Sequence, residues 1–363
     1  MADGKKISSS STWQRFRKNR AALAGLAVIA LSVLLAVFAY VVAPDNSSNA
    51  NRIVPEIANQ KPGFSIYLIQ VKKIGRRHTP PVLSVLLNGK DDPYTYIPAV
   101  KFAQVGDSVI FDRYVDEGIV ERQSLSRRLL AENPAAHHRF LLGTDKFGRD
   151  ILSRLIIGIR VSLNVGLIAV VISLTIGLIL GALAGYYGGF VDDIIMWFIN
   201  IIWSIPTLLL VFAITLVLGK GFWQIFIAVG LTMWVNIARL VRGQVLSLKE
   251  KEFIEAARAM GFRDLRIIAR HILPNLLGPV AVIAASNFAS AIVIEAGLSF
   301  LGVGVQPPQP SWGLMIKENY NFIITHNPLL AIIPGIAIMI LVLAFNMAGN
   351  GLRDALNVRS RVL

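Results

Sequence analysis

The sequence contains no cysteine among its 363 residues, and only 16% of those residues are charged. The missing cysteine excludes disulfides, thiol nucleophiles and cysteine-ligated metal sites, and it leaves the redox compartment open. The charged fraction is well below the roughly 25% of typical soluble domains, whereas 54% of the residues are hydrophobic. This composition indicates a chain that is mostly embedded in a membrane and in contact with lipid.

A nucleotide-binding loop is also missing. No G-x-x-x-x-G-K-[S/T] pattern occurs, because no Gly-Lys pair is followed by Ser or Thr: Gly219-Lys220 is followed by Gly221, and Gly89-Lys90 by Asp91. Such a loop places its lysine on phosphates and its hydroxyl on magnesium, so this chain is not expected to bind or hydrolyse ATP. The net charge of +14 comes without an aromatic-basic recognition motif. We therefore assign the positive charge to membrane-flanking segments and expect no nucleic-acid partner.

Charge-free stretches predict six membrane-spanning helices. The first, Ala21–Val42, has 22 residues, and as a helix it reaches about 33 Å, enough to cross a bilayer. A signal peptide is the alternative, but its apolar core would have only about 7–15 residues. The other predicted spans are Val161–Ala184, Ile194–Gly219, Gly221–Ala238, Leu330–Ala348 and Ile272–Ile294, the last of which continues past Glu295 to about Leu301.

The distribution of Lys and Arg predicts the orientation of these spans. The basic N-terminus is expected in the cytoplasm, and four spans separate it from the loop Val241–His271, which has seven Lys/Arg against four Asp/Glu. Two further spans return the basic C-terminus to the same side. Because short cytoplasmic loops are enriched in Lys and Arg, both termini and this loop are predicted to be cytoplasmic.

The first two spans are separated by a long segment of soluble composition, Pro44–Phe140, predicted to lie outside the membrane. A hairpin turn is predicted at Asn88-Gly89 and a helix at Val120–Asn133. Strands are predicted at Phe64–Ile74, Val82–Leu87, Tyr94–Val100 and Asp107–Tyr114. A poorly ordered insert is the alternative. The adjacent pair His137-His138 lacks the i,i+4 spacing of helical metal ligands, and no metal or catalytic site is predicted.

The predicted cytoplasmic loop is too polar to span a membrane, yet its pattern predicts a helix. Ser247 is the predicted N-cap, and three glutamates in the following turns suit the positive end of a helix dipole. Gly261 predicts the end of the helix. An apolar face at i, i+3, i+4 and i+7 is formed by Phe253, Ala256, Ala257 and Met260. Small residues flanked by charges favour a helix that is presented to a cytoplasmic partner, and the alternative is an amphipathic helix on anionic lipid.

This loop resembles a known family. Glu255-Ala256-Ala257, then Gly261 and the downstream Leu273-Pro274, resemble the EAA loop of the permeases of ATP-binding cassette (ABC) importers. In that family the loop forms a coupling helix that sits in a groove of the ATP-binding subunit. The resemblance therefore implies that the residues coupling this chain to an ATPase are Glu255, Ala256, Ala257, Arg258 and Gly261.

Two further segments resemble the oligopeptide, dipeptide and nickel permeases. The segment before the second span contains Thr144, Asp145, Gly148, Arg149 and Asp150. The segment after the fifth span runs from Leu298 to Gly304 and continues with Gln306, Pro307, Pro308 and Trp312. The similarity covers the first span and roughly residues 141–363. Such transporters contain two unlike permeases, and this chain resembles the C-type one. The long insert resembles the variant associated with microcin and larger peptides.

The resemblance implies an all-α polytopic fold of the type I ABC importer permease, here with a small β-rich outer insert. The implied divisions are residues 1–43, the insert 44–140 and a five-helix core 141–363 with the coupling loop 241–278. The implied partners are a second permease, two ATP-binding subunits that hold ATP and magnesium, an outer solute-binding protein and a peptide substrate. The implied location is a bacterial inner membrane.

Some candidate residues remain open from the sequence alone. Arg149 and Arg154 are expected to pair with aspartates in an amphipathic anchor at the membrane surface. Trp312 is expected to be an interfacial ring in a stiff outer loop, whose residues Gln306, Pro307 and Pro308 either cap the fold or contact the binding protein. Glu295 is the single carboxylate within a predicted span, and it either lines the pathway or makes a structural hydrogen bond.

Other functions have weaker support. A stand-alone secondary transporter would show several intramembrane charges or an internal repeat. A membrane-anchored enzyme or sensor would need a catalytic constellation in residues 44–140. Within the importer prediction, nickel, glutathione or another small solute are alternatives to peptide.

Overall fold

The computed structural model describes residues 9–73, 81–219, 221–324 and 327–356. These residues fall into two compact units. The first unit consists of Met1–Ser32, Ser162–Gln306 and Ala337–Leu363, and the second consists of Val33–Val161 and Pro307–Ile336.

Helices account for most of the described chain. They are α1 Ser9–Lys18, α2 Arg20–Val37, α3 Ala39–Val42, α4 Val82–Asn88, α5 Ile151–Tyr187, α6 Gly189–Ser204, α7 Thr207–Leu218, α8 Phe222–Lys249, α9 Glu252–Ala259, α10 Asp264–Ile267, α11 Leu273–Leu301, α12 Trp312–Asn319 and α13 Leu329–Leu356. A π-helical turn, Ile268–Ile272, joins α10 to α11. Short 3₁₀ turns lie at Ser48–Ala50, Pro55–Ile57, Arg127–Leu129 and Tyr320–Ile323.

Five segments of the described chain are long and apolar enough to cross a membrane, and a sixth is formed if the bent pair α6–α7 counts as one span. The predicted span Ile194–Gly219 corresponds to this pair, which is bent by 96° between α6 and α7. Pro206 explains the break, since proline lacks an N–H and disfavours helical geometry at the preceding residue. Ile205 is accordingly extended, with φ −96° and ψ 129°.

A row of glycines lets α5 and α8 approach closely in the first unit. Gly177, Gly181 and Gly185 recur every four residues, and a Cβ atom at Gly181 would lie 2.5 Å from the carbonyl oxygen of Ala238. Small residues at this spacing are typical of helix contacts in membranes, where close van der Waals packing stabilises the pair.

The insert in the second unit is a five-stranded antiparallel sheet with strand order β4-β3-β2-β1-β5. Its strands are β1 Phe64–Lys72, β2 Tyr94–Val105, β3 Ser108–Asp116, β4 Ile119–Ser126 and β5 Leu130–Phe140. In a flat sheet, β4 and β5 would lie about 19 Å apart, farther than the roughly 14 Å that the short connection from Ser126 to Leu130 can reach. The sheet is therefore strongly curled, with Ile69, Val109 and Phe111 nearly inaccessible in its core, and we call this curled sheet the barrel.

Two predictions inside the insert are wrong. Val82–Leu87 belongs to a helix, α4, and Gly89 ends that helix with φ +81° instead of forming a hairpin turn. The predicted helix Val120–Asn133 forms most of β4, a 3₁₀ turn and the start of β5. Pairing of β4 with β3 from Ser108↔Ser126 to Asp116↔Ile119 outweighs the local helix propensity.

The ends of the barrel lie side by side. Phe64 pairs directly with Phe140, and the Gly63 amide donates to the Phe140 carbonyl at 2.9 Å. A domain with adjacent ends can be inserted into a host chain without displacing it. The barrel therefore has the geometry of an insertion at a single point between residues 62 and 141.

Candidate functional site

The loop helix α9 has one buried face and one exposed face. Ile254 and Ala257 are 0% and 1% exposed and pack into an apolar cluster with residues of α5, α8 and the π-helical turn. Phe253 and Met260 are 44% and 64% exposed, and Ala256 between them is also exposed. The predicted apolar face is therefore wrong for Ala257, which packs into the protein together with Ile254. The other predicted members, Phe253, Ala256 and Met260, are exposed.

Polar contacts hold the loop against the end of α5. The Tyr186 hydroxyl donates to Asp264 Oδ1 at 2.6 Å, and Lys249 Nζ donates to the Tyr186 carbonyl at 2.6 Å. The guanidinium of Arg258 lies 5.3 Å from the centre of the Tyr186 ring. Arg258 therefore takes part in the support of α9, and the exposed Glu255 belongs to its free surface.

The ends of α9 differ in part from the prediction. Ser247 lies inside α8 and does not cap α9, whose N-cap position is Lys251. Gly261 follows the helix with φ +76°, and its amide donates to the Arg258 carbonyl at 2.9 Å. This left-handed conformation favours glycine and reverses the chain toward α10. Pro274 lies in the first turn of α11, where its missing N–H is tolerated.

Glu295 is fully buried in α11. Ser299 Oγ donates to its Oε1 at 2.7 Å, and the same Oγ accepts from the Val305 amide at 3.0 Å. The hydrogen-bonded chain thus joins Glu295 to the segment that follows α11. This arrangement supports the structural role that the sequence left open.

The membrane-spanning helices of the first unit surround two cavities of about 400 and 960 Å³ that share Asn236, Asn287 and Ser290. Thr207, Thr232 and Asn346 also line the smaller cavity, and Arg353 lines the larger one. Glu295 is not among the described residues that line either cavity. The polar surface of this region therefore consists mainly of side-chain amides and hydroxyls.

The segment before α5 is a tightly packed junction of buried residues, whereas an amphipathic anchor at the membrane surface was predicted. Thr144 accepts from the Gln60 amide at 2.9 Å and donates to the Ile57 carbonyl. A Cβ atom at Gly148, whose φ is +72°, would lie 1.8 Å from the Val54 carbonyl oxygen. These contacts fix residues 54–60 against the start of α5.

Asp150 begins α5 as a buried cap. Its Oδ2 accepts from the Ser153 amide at 2.9 Å and from the Ser153 hydroxyl. Burial raises the pKa of Asp150, while the hydrogen bonds from Ser153 act in the opposite direction. Asp150 therefore caps the helix. The predicted pairing with an arginine is not found for Asp150 among the ion pairs of the described residues.

A buried charge cluster lies beside this cap. Arg149 donates from Nε to Asp145 Oδ2 at 2.7 Å and from Nη2 to Glu318 Oε2 at 2.8 Å. The Arg154 side chain is 1% exposed and lies 3.7 Å from Asp145 and 3.6 Å from Glu318. Within the described chain, no guanidinium nitrogen of Arg154 has a hydrogen-bond partner. Two cations and two carboxylates thus connect α12 to the start of α5 within the second unit.

The loop before α12 divides into exposed and buried parts. Pro307 and Pro308 are exposed and Gln306 is half-buried. Trp312 is only 3% exposed, and its indole Nε1 donates to the Leu155 carbonyl at 2.9 Å. The predicted interfacial ring is therefore wrong, and Trp312 packs against α5 near Gly158.

Several residues of these sites were missed by the sequence analysis. Glu318 and Tyr186 gave no local signal, because their partners are distant in sequence. A local signal was present for three asparagines, because each is an amide in a charge-free apolar stretch: Asn236, Asn287 and Asn346.

Family models match the chain in two places. Residues 177–362 match the binding-protein-dependent transport system inner membrane component, and residues 9–62 match the N-terminal TM domain of oligopeptide transport permease C. The barrel strands lie between these two matches. The predicted C-type membership is confirmed by the second match.

Curated relatives give the same assignment. The chain is 45% identical over 230 residues to the dipeptide transport system permease protein DppC of Alkalihalophilus pseudofirmus, covering 63% of this chain and 75% of the relative. It is 44% identical over 229 residues to the glutathione transport system permease protein GsiD of Escherichia coli O6:K15:H31, covering 63% and 74%. A solved chain of the inward-facing MetNI methionine ABC transporter is 21% identical, with a TM-score of 0.48 and coverage of 57% of this chain and 98% of that chain.

These relatives are permeases, and in their transporters ATP hydrolysis belongs to separate subunits. Membership also implies, in general terms, a partner permease, ATPase subunits and a substrate-binding protein. The model match over residues 177–362 and the identity to curated permeases lead to one assignment: the chain belongs to the binding-protein-dependent transport system inner membrane components, the permease subunits of ABC importers.

Proposed function

We propose that this permease imports peptides and receives force from an ATP-binding subunit through α9. The observation that carries this proposal is the division of α9 into an anchored face and an exposed apolar face. Ile254 and Ala257 fix the helix to the membrane unit, so a push on its outer face is transmitted to α5 and α8. Phe253, Ala256 and Met260 form a surface that a partner can cover.

The proposed orientation places α9 in the cytoplasm together with both chain ends, and the barrel outside the membrane. Support comes from the charge bias of the short loops, which favours Lys and Arg on the cytoplasmic side. The barrel follows the first span and precedes the second, so it lies on the side opposite to α9 if α6 and α7 together cross once. Pro307 and Pro308 would then be outside as well, exposed to a solute-binding protein.

The proposed cargo is a short peptide. The names of the relatives include dipeptide and glutathione transport, and glutathione is itself a modified tripeptide. ATP and magnesium would be held by the partner subunits.

The proposed coupling role can be tested with Ala256→Arg in the complete transporter reconstituted in vesicles. A bulky charge in the centre of the exposed face should block docking, because desolvating an unpaired charge is costly. We expect loss of ATP-binding subunits on purification and at least a ten-fold fall in ATP-driven peptide uptake. Ala103→Arg, on an exposed position of β2, is the matched control and should behave as wild type.

The outcome can separate coupling from cargo. If Ala256→Arg retains its ATP-binding subunits and transports at the wild-type rate, α9 is not the docking helix. If the wild-type transporter hydrolyses ATP but accumulates no peptide with any cognate binding protein, the proposed cargo is wrong and the coupling result still stands.

A further inference from the structure

Exposed polar side chains line the cavities of the first unit. Asn236 on α8, Ser290 on α11 and Asn346 on α13 are all exposed, although each lies in a predominantly apolar helix. An amide that faces hydrocarbon without a partner loses about 4–8 kcal/mol of solvation. Three polar groups from three helices that face the same space therefore indicate a hydrated hollow and not a lipid-facing surface.

The polar positions recur at helical spacing. Thr232 and Asn236 are four residues apart on α8, as are Ser286 and Ser290 on α11, so each helix presents one polar stripe. Asn287 adds a nearly buried amide, 5% exposed, whose Nδ2 donates to the Met233 carbonyl at 3.4 Å. We call the space bounded by these stripes the amide hollow.

The charge of the amide hollow limits its ligand. Among the described residues that line the two cavities, none is a carboxylate, and the charged one is Arg353 in the larger cavity. A free divalent transition metal prefers imidazole, thiolate or carboxylate ligands. A side-chain amide instead offers both a donor and an acceptor, which matches the N–H and C=O that every peptide residue carries.

We propose that the amide hollow binds the backbone of short peptides in transit. It does not distinguish their side chains, and it does not bind free metal ions. This inference rests on the proposed peptide import and assigns Asn236, Asn287, Ser290 and Asn346 to the pathway. Hydrogen bonds to the backbone would hold peptides of different sequence with similar strength. The hollow is one wall of a site that the second permease would complete.

Hydration of the hollow can be measured without any assumption about cargo. Because the chain has no cysteine, Asn236→Cys and Asn346→Cys each introduce a single thiol, which a cationic methanethiosulfonate reagent labels only in water. We expect rapid labelling of both in vesicles containing the full transporter. Leu31→Cys, 58% exposed in the middle of α2 and outside both cavities, should label at least ten-fold more slowly. Equal labelling rates for the three thiols would refute the hydration of the hollow. Absence of labelling at positions 236 and 346, because a partner chain covers them, would refute it as well.

Contact with cargo is tested by a fixed charge. Asn236→Asp should raise the ratio of Ala-Lys to Ala-Asp uptake by at least about five-fold relative to wild type, the effect of one unit charge at close range in water. The same binding protein is used throughout, so its own preference cancels in this ratio. Asn164→Asp, exposed on α5 but outside both cavities, is the control and should leave the ratio unchanged. An unchanged ratio for Asn236→Asp would overturn the pathway assignment, whereas absence of any peptide uptake with both thiols labelled would overturn only the proposed cargo.

Discussion

Replacing Glu318 with glutamine tests whether the buried charge cluster holds α12 to the start of α5. Glu318 is 9% exposed and is shared by Arg149 at 2.8 Å and Arg154 at 3.6 Å. The substitution keeps the shape of the side chain but leaves two buried cations with one carboxylate, Asp145. Removing one partner of a buried ion pair costs about 3–5 kcal/mol, because the remaining charge stays desolvated.

A second substitution, Arg154→Met, tests whether the stability lost in Glu318→Gln comes from the unbalanced buried charge. Arg154 adds a buried cation without a hydrogen bond in the described chain, so Arg154→Met removes charge without removing a bonded donor. In the double variant, Arg149 and Asp145 remain as a balanced pair at 2.7 Å. We therefore expect Arg154→Met to restore at least half of the stability lost in Glu318→Gln, a coupling of about 2 kcal/mol that additive effects would not produce.

Hydrogen exchange in the purified transporter measures this effect locally. Amides of α12 should exchange at least about 100-fold faster in Glu318→Gln, as follows from the lower end of the expected energy at 1.4 kcal/mol per factor of ten. In the double variant, the increase should be at least ten-fold smaller, and amides of α9 should not change in either. Unaltered exchange of α12 in Glu318→Gln, or a double variant less protected than Glu318→Gln, would refute the reasoning.

Three further outcomes follow from the second unit. Gly148→Ala places a methyl group 1.8 Å from the Val54 carbonyl oxygen and should destabilise the junction by more than the roughly 1–2 kcal/mol of the left-handed conformation alone, seen as a lower melting temperature. Replacing residues 64–140 with a two-residue Gly-Ser linker should leave membrane insertion and assembly intact, as measured by co-purification, because Phe64 and Phe140 are paired neighbours. Burial lowers the pKa of His138, so the barrel should lose stability as pH falls below about 6.5, where only the unfolded chain takes up the proton. Melting in the full transporter should lose this part of its pH dependence in His138→Phe.

Local patterns in the sequence were sufficient for the membrane helices. Charge-free runs in Ala21–Val42 and Leu330–Ala348 correspond to α2 and α13, since the penalty for a charge in lipid acts on each residue separately. The EAA-like loop was also recognisable, because its glutamate, alanines and Gly261 are close in sequence. The bend at Pro206 was visible as a proline, but its angle depends on how α6 and α7 pack.

Contacts between distant residues were not predictable. Val82–Leu87 has β-favouring side chains, yet it forms α4. Gly89 ends this helix with φ +81°, and a Cβ atom at Gly89 would lie 2.8 Å from a ring carbon of Tyr40, a contact between residues distant in sequence. The edge strand β4 was not predicted, because most of its side chains are exposed and buried and exposed residues do not alternate along it. Trp312 was wrongly predicted to be an interfacial ring, because its indole N–H donates to a carbonyl 157 residues away in the sequence.

The most direct test of the central claim is a photo-cross-link from the exposed face of α9. A benzophenone amino acid at Met260, which is 64% exposed, should form a covalent adduct with an ATP-binding subunit in the assembled transporter. The same group at Val100, 43% exposed on β2, should form none with that subunit. An adduct at position 260 alone is the predicted result; capture of lipid only, or of the ATP-binding subunit from position 100 and not from 260, would contradict the account.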